Sequence, residues 1–432
     1  MAISSKASTR TSAFVPLVLC LALLACQIEG GLAKGHRRGG RPRLPGRGPV
    51  ARPAPNPGTI FNVLQFGAKP GSRLSQAQAF MKTWRAACDF DGIATVVVPP
   101  GVFTLAETVF QGPCRNPPLS PITFQIQGTM KAVADPSEYS DKSWISFEHV
   151  DGLVLTGPGT IDGSGPDVWK YNDCHTNSNC ELLPASLYLN DVKNAKIRGV
   201  TSVNSMGFHM HVTNSANIRI NGVHIFAPAD SPNTDGMHIS RSYAVRVSKA
   251  VIRTGDDCIS LGQGATNINV SRVTCGPGHG ISVGSLGKLP DEQDVTGVNV
   301  RNCTMAGTTN GIRIKTWPGS APSKATGMLF SNIVMDNVHF PIIIDQNYGT
   351  HSDKPSLVKI SDITYEDIKG TAASEVAVEL DCSPGAPCDN VKFTNINLQP
   401  TINTMRLSAT CANANVGYEG MQFPPPCLPP HP

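Results

Sequence analysis

A short apolar pattern recurs along most of the chain. It places apolar residues at its first, third and sixth positions, with turn-forming or polar residues at the fourth and fifth, as in Ile218-Arg-Ile220-Asn-Gly-Val223. The middle apolar residues are 23 to 33 residues apart, at positions 197, 220, 247, 270, 300, 330, 360 and 393. Alternating apolar residues with a β-branched bias predict short strands, and the Asn, Gly, Ser or Asp that follows predicts turns. The chain is therefore expected to be all-β.

The repeat length indicates one solenoid and not several globular domains. A single repeat cannot bury its own apolar face, so the core must come from stacking successive repeats. We expect residues 59–432 to form one right-handed parallel β-helix, with a helix in the stretch Gln76 to Cys88 that caps its N-terminal end. A β-sandwich is the alternative, but it predicts shorter and more regular strand spacing.

The N-terminal 33 residues have the pattern of a signal peptide. Lys6 and Arg10 precede an apolar stretch over residues 13–25, which is too short to span a membrane, and small residues follow at 30–33. No other run approaches the ~20 apolar residues that a membrane-spanning helix needs. The mature chain is therefore expected to be secreted, without membrane or nucleic-acid partners.

Residues 34–58 are rich in Pro, Gly and Arg, with seven positive charges and no acidic residue. Such a segment cannot bury a core and is expected to be disordered. It could adhere to a polyanion, or it could be a solvated linker or a segment removed on maturation. Its charges account for the overall +4, because residues 59–432 carry about −4.

The cysteine content agrees with an oxidising compartment. Eleven of the 13 cysteines follow the leader, several closely spaced. The sequence does not determine connectivity. We expect Cys303 to be a buried free thiol and the other ten to pair as Cys88–Cys114, Cys174–Cys180, Cys258–Cys275, Cys382–Cys388 and Cys411–Cys427. Asn269 and Asn302 begin glycosylation sequons that an exported chain could use.

Four polar motifs follow one another at close to the repeat interval. Neighbouring strands lie ~4.8 Å apart, so a solenoid would stack these motifs into one patch, either a catalytic site or a ladder of solvated charges. Carboxylates this close raise at least one carboxyl pKa, which gives the protonated acid and the ionised base that glycoside hydrolysis needs. Two cations on one strand face suit a substrate with carboxylates. The motifs are Asn233-Thr-Asp235, Gly255-Asp256-Asp257-Cys258, Gly278-His279-Gly280 and Arg313-Ile-Lys315.

In their flanking sequence these motifs resemble the four signatures of polygalacturonases, glycoside hydrolase family 28. The resemblance extends over most of the chain from Phe61 onward and includes Ser231-Pro-Asn-Thr-Asp-Gly236 and the run Cys275 to Gly287. It implies a pectin-lyase-like β-helix that hydrolyses the α-1,4-galacturonosyl linkages of pectin by an inverting single displacement, without cofactor or metal. The sequences Phe208-His-Met and Asp291-Glu-Gln-Asp-Val-Thr resemble the pollen-type plant exopolygalacturonases, which favours exo over endo action.

The resemblance also implies a role for each site residue. Asp256 would be the general acid, Asp235 and Asp257 would activate water, and His279 would tune protonation. Arg313 and Lys315 would bind a galacturonate carboxylate. Two further residues have structural alternatives: Tyr348 could contact substrate or merely pack, and Asn233 could shape the site or merely form a turn. His209, near the same column, is expected to be packed or solvated.

Two other functions remain open. A pectate lyase also uses a β-helix, and the aspartates could bind the Ca²⁺ that it needs. A catalytically silent protein could bind pectin in the cell wall, although retention of all six polar residues argues against it. Inversion rests on the resemblance, since ~4.8 Å between strands is shorter than the ~6.5–9.5 Å typical of inverting carboxylates. We expect a monomer.

Overall fold

The computed structural model describes residues 58–427, except 117–119, 141, 175, 178–179 and 350–351. The predicted signal peptide and all but the last residue of the basic segment lie outside the described residues. The described part contains one α-helix, Ala77–Cys88, and no helix in it is long and apolar enough to cross a membrane. Short 3-10 helices occupy Val63–Phe66, Pro136–Glu138, Gly165–Asp167 and Trp169–Tyr171.

All described strands pair in parallel and form two sheets of a right-handed parallel β-helix, as the repeat predicted. The 11-stranded sheet contains Thr108–Gln111, Ser143–Glu148, Ala185–Asn190, Met210–Thr213, Met237–Ser240, Ile259–Leu261, Ile281–Leu286, Asn310–Thr316, Phe340–Asp345, Val376–Asp381 and Ser408–Ala412.

The 20-stranded sheet begins as two columns that merge into long strands. The first column contains Thr59–Asn62, Ala94–Val98, Ile122–Ile126, Asp151–Thr156, Lys193–Arg198, Arg219–Asn221, Arg246–Ser248 and Thr266–Ser271. The second contains Val102–Leu105, Thr129–Ala132, Thr160–Asp162, Thr201–Val203, His224–Phe226, Val251–Arg253 and Thr274–Cys275. The long strands are Val295–Ala306, Ser323–Val338, Val358–Ala372, Cys388–Pro400 and Ala414–Phe423.

The recurring pattern corresponds to the 20-stranded sheet and the turn that joins its two columns. The middle apolar residues, such as Ile197, Ile220 and Val247, are in register on successive strands and fully buried. The fifth position of the pattern has a left-handed backbone, with φ of 69° at Gly199 and 56° at Asn302. Gly and Asn tolerate that conformation best, which explains why they recur there.

The helix covers the N-terminal end of the core, as expected. Its Trp84 is buried and lies against Phe110 and Phe147, with ring centroids 5.4 and 5.3 Å apart. A disulfide joins its last residue, Cys88, to Cys114. The structure contains all five predicted disulfides, and Cys303 is the buried free cysteine of the described residues.

Candidate active site

The outer face of the 11-stranded sheet carries a column of side chains, all but one of them polar or aromatic, here called the outer ladder. Each member lies between two apolar residues of its strand, as Ser260 lies between Ile259 and Leu261. Alternation along a strand turns the apolar neighbours into the core and the middle residue outward. In register, the ladder consists of Tyr188, His211, His238, Ser260, Ser282, Arg313, Ile343 and Glu379.

The predicted catalytic residues lie at the start of three of these strands. Asp235, Asp257 and His279 each precede the first paired residue of a strand by two positions. The strands are consecutive and unshifted in register, so the three residues occupy equivalent places on adjacent rungs. Parallel stacking therefore brings together residues that are 22 positions apart in the sequence.

Two of the three carboxyl groups are almost inaccessible to solvent. Asp235 and Asp257 are 6% and 1% exposed, whereas the side chain of Asp256 is 19% exposed and that of His279 is 39% exposed. Asp256 and His279 therefore lie at the surface of the site, with the other two carboxyl groups beneath them.

Asp257 is held by two cations and a hydroxyl. Its Oδ1 accepts hydrogen bonds from Arg313 Nη2 at 2.9 Å and Ser282 Oγ at 2.7 Å, and its Oδ2 accepts from Lys315 Nζ at 2.9 Å. Burial alone would raise the pKa of Asp257, but Lys315, Arg313 and Ser282 lower it to about 2. This carboxyl group is therefore ionised at any pH near neutrality.

Among the described residues, no cation lies within hydrogen-bonding distance of Asp235. Its Oδ2 accepts a hydrogen bond from Ser260 Oγ at 2.7 Å. Burial and the neighbouring charges of Asp256 and Asp257 raise the pKa of Asp235 well above its usual value, and Ser260 and Lys315 offset only part of that effect. The cluster thus contains one carboxyl group that binds a proton readily and one that does not.

Asp256 is oriented by groups on both neighbouring rungs. His279 Nδ1 lies 3.0 Å from its Oδ1, and the backbone N–H of Asp257 donates to the same oxygen at 2.7 Å. Asn233 Nδ2 donates to its Oδ2 over 3.4 Å, and Asn233 is itself held by Asn172 Nδ2 at 3.1 Å. Asn233 also has a left-handed backbone, with φ of 50°. It therefore both forms a turn and contacts the site.

Tyr348 lies over both cations. Lys315 Nζ is 5.0 Å and the Arg313 guanidinium carbon 5.7 Å from the centroid of the tyrosine ring. Cations at this distance from a ring face are attracted to it. The ring packs edge-on against Trp317 at 5.5 Å. The structure thus brings Tyr348 into the site by packing against the residues that hold Asp257.

The sequence prediction missed three residues of the site: Ser260, Ser282 and His238. The two serines could have been found from the equal spacing of 25 residues from Asp235 to Ser260 and from Asp257 to Ser282.

His209 is buried with its Nδ1 2.8 Å from Ser202 Oγ, and burial lowers its pKa to about 3. It is a packed residue, as expected.

One oxygen or nitrogen atom from each of Asp256, Asp257 and His279 lies within 4.8 Å of the others, close enough to share a cation. However, both oxygens of Asp257 already accept hydrogen bonds from cationic side chains. A Ca²⁺ ion prefers six to eight oxygen ligands, so this donor set fits a cation poorly. The arrangement suits proton transfer between carboxyl groups better.

Residues 88–419 match the family model described as glycosyl hydrolases family 28. The chain is 43% identical over 371 residues to an exopolygalacturonase of Platanus acerifolia, covering 85% of this chain and 97% of that protein. It is also 43% identical over 414 residues to an exopolygalacturonase of Arabidopsis thaliana, covering 94% and 95% of the two chains. The crystal structure of an exopolygalacturonase from Thermotoga maritima superposes with a TM-score of 0.70 at 17% identity, covering 84% of this chain and 90% of that one, which shows a shared fold.

Proposed function

This chain belongs to the glycosyl hydrolases of family 28, and from that premise we propose that it is a polygalacturonase acting on the α-1,4-galacturonosyl linkages of pectin. The observation that carries the proposal is the division among three adjacent carboxyl groups. Asp257 is stabilised as an anion by two cations, whereas the pKa of Asp235 is raised by burial and by its neighbours. Hydrolysis of a glycosidic bond needs carboxyl groups in different protonation states at one place.

In this proposal the proton that the neighbouring carboxyl groups of Asp235 and Asp256 share resides on Asp256 in the reactive form. Asp256 donates it to the leaving oxygen, and ionised Asp235 and Asp257 activate the attacking water in a single inverting displacement. The partial exposure of Asp256 supports its role, because the acid must reach a bond of a bound polymer. His279, 3.0 Å from Asp256, tunes the protonation of that acid. Asn233 helps to orient the same carboxyl group.

Arg313 and Lys315 recognise the carboxylate of the galacturonate unit at the cleavage site. A guanidinium and an ammonium on one strand provide several charge-assisted donors, and Asp257 occupies only part of that capacity. Tyr348 holds both cations and offers a ring face to the sugar. No cofactor is needed for this reaction.

Exo action is supported by the names of two relatives that are each 43% identical to this chain. We further propose that the protein is secreted to the cell wall and acts as a monomer on polygalacturonate. The five disulfides support the secretion, since such bonds persist in oxidising compartments. The hydrogen bonds to both oxygens of Asp257 argue against the calcium-dependent lyase.

The test is release of reducing ends from polygalacturonic acid in the presence of EDTA. We expect activity to survive chelation and kcat to fall about 10²–10⁴-fold in Asp256→Asn, the range typical of a general acid. Asp336→Asn, at an exposed position on the 20-stranded sheet, is the matched control and should retain activity. Chromatography of the products distinguishes monomer from mixed oligomers, and thus exo from endo action. A folded wild type that binds pectin but releases nothing would instead indicate a catalytically silent wall-binding protein.

A further inference from the structure

The outer ladder contains a hydrogen-bonded chain that ends on Asp235. Ser260 Oγ donates to Asp235 Oδ2 at 2.7 Å, and His238 Nδ1 lies 2.8 Å from Ser260 Oγ. A serine hydroxyl has one proton, and here it is donated to the carboxylate. The proton between Ser260 and His238 must then come from the imidazole, so His238 carries its proton on Nδ1 whenever Asp235 is ionised.

The imidazole of His238 is fixed from three sides. Phe208 stacks on it at 5.1 Å with an interplanar angle of 23°, and His211 packs edge-on at 4.9 Å. On a third side lies Gly262, where an added Cβ would come within 3.0 Å of Cε1 and Nε2 of His238. A ring held in this way cannot rotate its Nδ1 away from Ser260 without repacking its neighbours.

We propose that His238 is a positioning residue, which acts through Ser260 to keep a hydroxyl proton directed at Asp235. This inference rests on the proposed function, in which Asp235 must be ionised in order to activate water. Without His238 the hydroxyl of Ser260 is free to rotate, and Asp235 then loses the hydrogen bond that Ser260 donates to it. Its carboxylate form becomes less stable, and the enzyme needs a higher pH to work.

The nearby charges do not replace the hydrogen bond that Ser260 donates to Asp235. Asp235 is near the charges of Asp256 and Asp257, which oppose its ionisation, and of Lys315, which favours it. Lys315 itself donates to Asp257 at 2.9 Å. Around His238, burial, Lys315 and Arg241 lower the pKa and Asp257 raises it, which together bring it to about 4. His238 is therefore a neutral donor over most of the working pH range.

The test compares pH profiles of kcat/KM on polygalacturonic acid for four variants. His238→Phe keeps the aromatic packing and removes the donor, whereas His238→Asn places an amide N–H near the former Nδ1. Ser260→Ala removes the hydroxyl. We expect the acidic limb to move up by about one pH unit in His238→Phe and in Ser260→Ala, since a hydrogen bond to the charged form lowers a pKa. His238→Asn should restore at least half of that shift.

The matched control is Ser282→Ala, which removes the equivalent hydroxyl from Asp257. Arg313 Nε loses its bond to Ser282 in this variant, but Arg313 Nη2 and Lys315 Nζ still donate to Asp257, so the acidic limb should stay within a few tenths of a unit of the wild type. An unmoved limb in His238→Phe, or a His238→Asn variant no better than His238→Phe, would overturn the inference. A purely structural role for His238 would change thermal stability and kcat without moving the limb.

A second readout does not depend on activity. The pKa of Asp235 is raised in the folded protein, so the protein loses stability as the pH rises towards that value. Raising the pKa further, as expected for His238→Phe and Ser260→Ala, should extend this loss to higher pH. Unfolding of wild type and variants measured from pH 3 to 8 would show the extension. If the wild type releases no galacturonate, the proposed function fails, and this readout alone decides the role of His238.

Discussion

Asp235 and Asp257 occupy equivalent places on adjacent rungs, yet their surroundings shift their pKa values in opposite directions. Each accepts a hydrogen bond from a serine 25 residues later, Ser260 in one case and Ser282 in the other. The next residues of the outer ladder differ. The residue in register with Ser282 on the following strand is Arg313, whereas the residue in register with Ser260 on its following strand is Ser282. A repeated backbone thus produces two carboxyl groups of opposite character because Lys315 and Arg313 donate to Asp257.

The largest expected effect concerns stability. Asp257→Asn leaves Arg313 and Lys315 buried without their counter-charge, so we expect a loss of about 3–5 kcal/mol in the free energy of unfolding near pH 7. Asp235→Asn removes a carboxyl group that is costly to ionise there, so we expect a gain of about 0.5–2 kcal/mol, as for other sites where function opposes stability. Thermal and urea unfolding of both variants are the measurements. Changes of the same sign would contradict the comparison.

The two effects also differ in their pH dependence. The folded-state pKa of Asp257 is about 2, below its unfolded value. Its contribution to the free energy of unfolding is therefore present above about pH 4 and is lost as the pH falls through about 2. The pKa of Asp235 is raised, so its ionisation destabilises the folded protein at neutral pH, and acidification removes that destabilisation. The difference between the two variants should therefore shrink as the pH is lowered from 7 to 3.

A smaller effect is expected when one of the two cations that bind Asp257 is removed. Lys315→Met leaves Asp257 with Arg313 alone, which raises the pKa of Asp257 and makes it resemble Asp235. We expect kcat/KM to fall about 10²-fold, the cost typical of losing one preorganised donor, and the acidic limb of its pH profile to move up. Lys392→Met, on the exposed face of the 20-stranded sheet, is the control. A lower kcat/KM without movement of the limb would separate substrate binding from the electrostatic role.

The smallest effect concerns Tyr348, whose ring contacts the two cations that bind Asp257. Tyr348→Phe keeps the ring face over Lys315 and Arg313, so we expect less than a twofold change in KM. Tyr348→Leu removes the ring, and KM should rise about 3- to 10-fold, because a cation–π contact contributes about 0.5–2 kcal/mol and the sugar loses its packing surface. Steady-state kinetics on polygalacturonic acid would test both. A large effect of Tyr348→Phe would indicate that the hydroxyl contacts substrate.

The sequence predicted the 20-stranded sheet more fully than the 11-stranded one. Its strands are followed by a left-handed turn, and Gly199 or Asn302 marks that turn in the sequence because few residues tolerate it. Left-handed residues also follow strands that carry the site, but they are of varied type, such as Asn214 and Arg241, so they give no recurring signal in the sequence. In sequence, each of these strands is two apolar residues on either side of one outward residue, such as Met237-His-Ile239. A three-residue pattern of this kind is too short to distinguish from chance.

The sequence by itself determined the repeat, the capping helix and the six polar residues at rung spacing, because each depends on residue type at short range or at a fixed interval. Only the tertiary structure decided which carboxyl group faces cations and which faces a serine and an imidazole. Those contacts join residues 22 to 58 positions apart, as Lys315 and Asp257 are. Their consequence for pKa depends on burial and on distances of about 3 Å, which residue order does not specify.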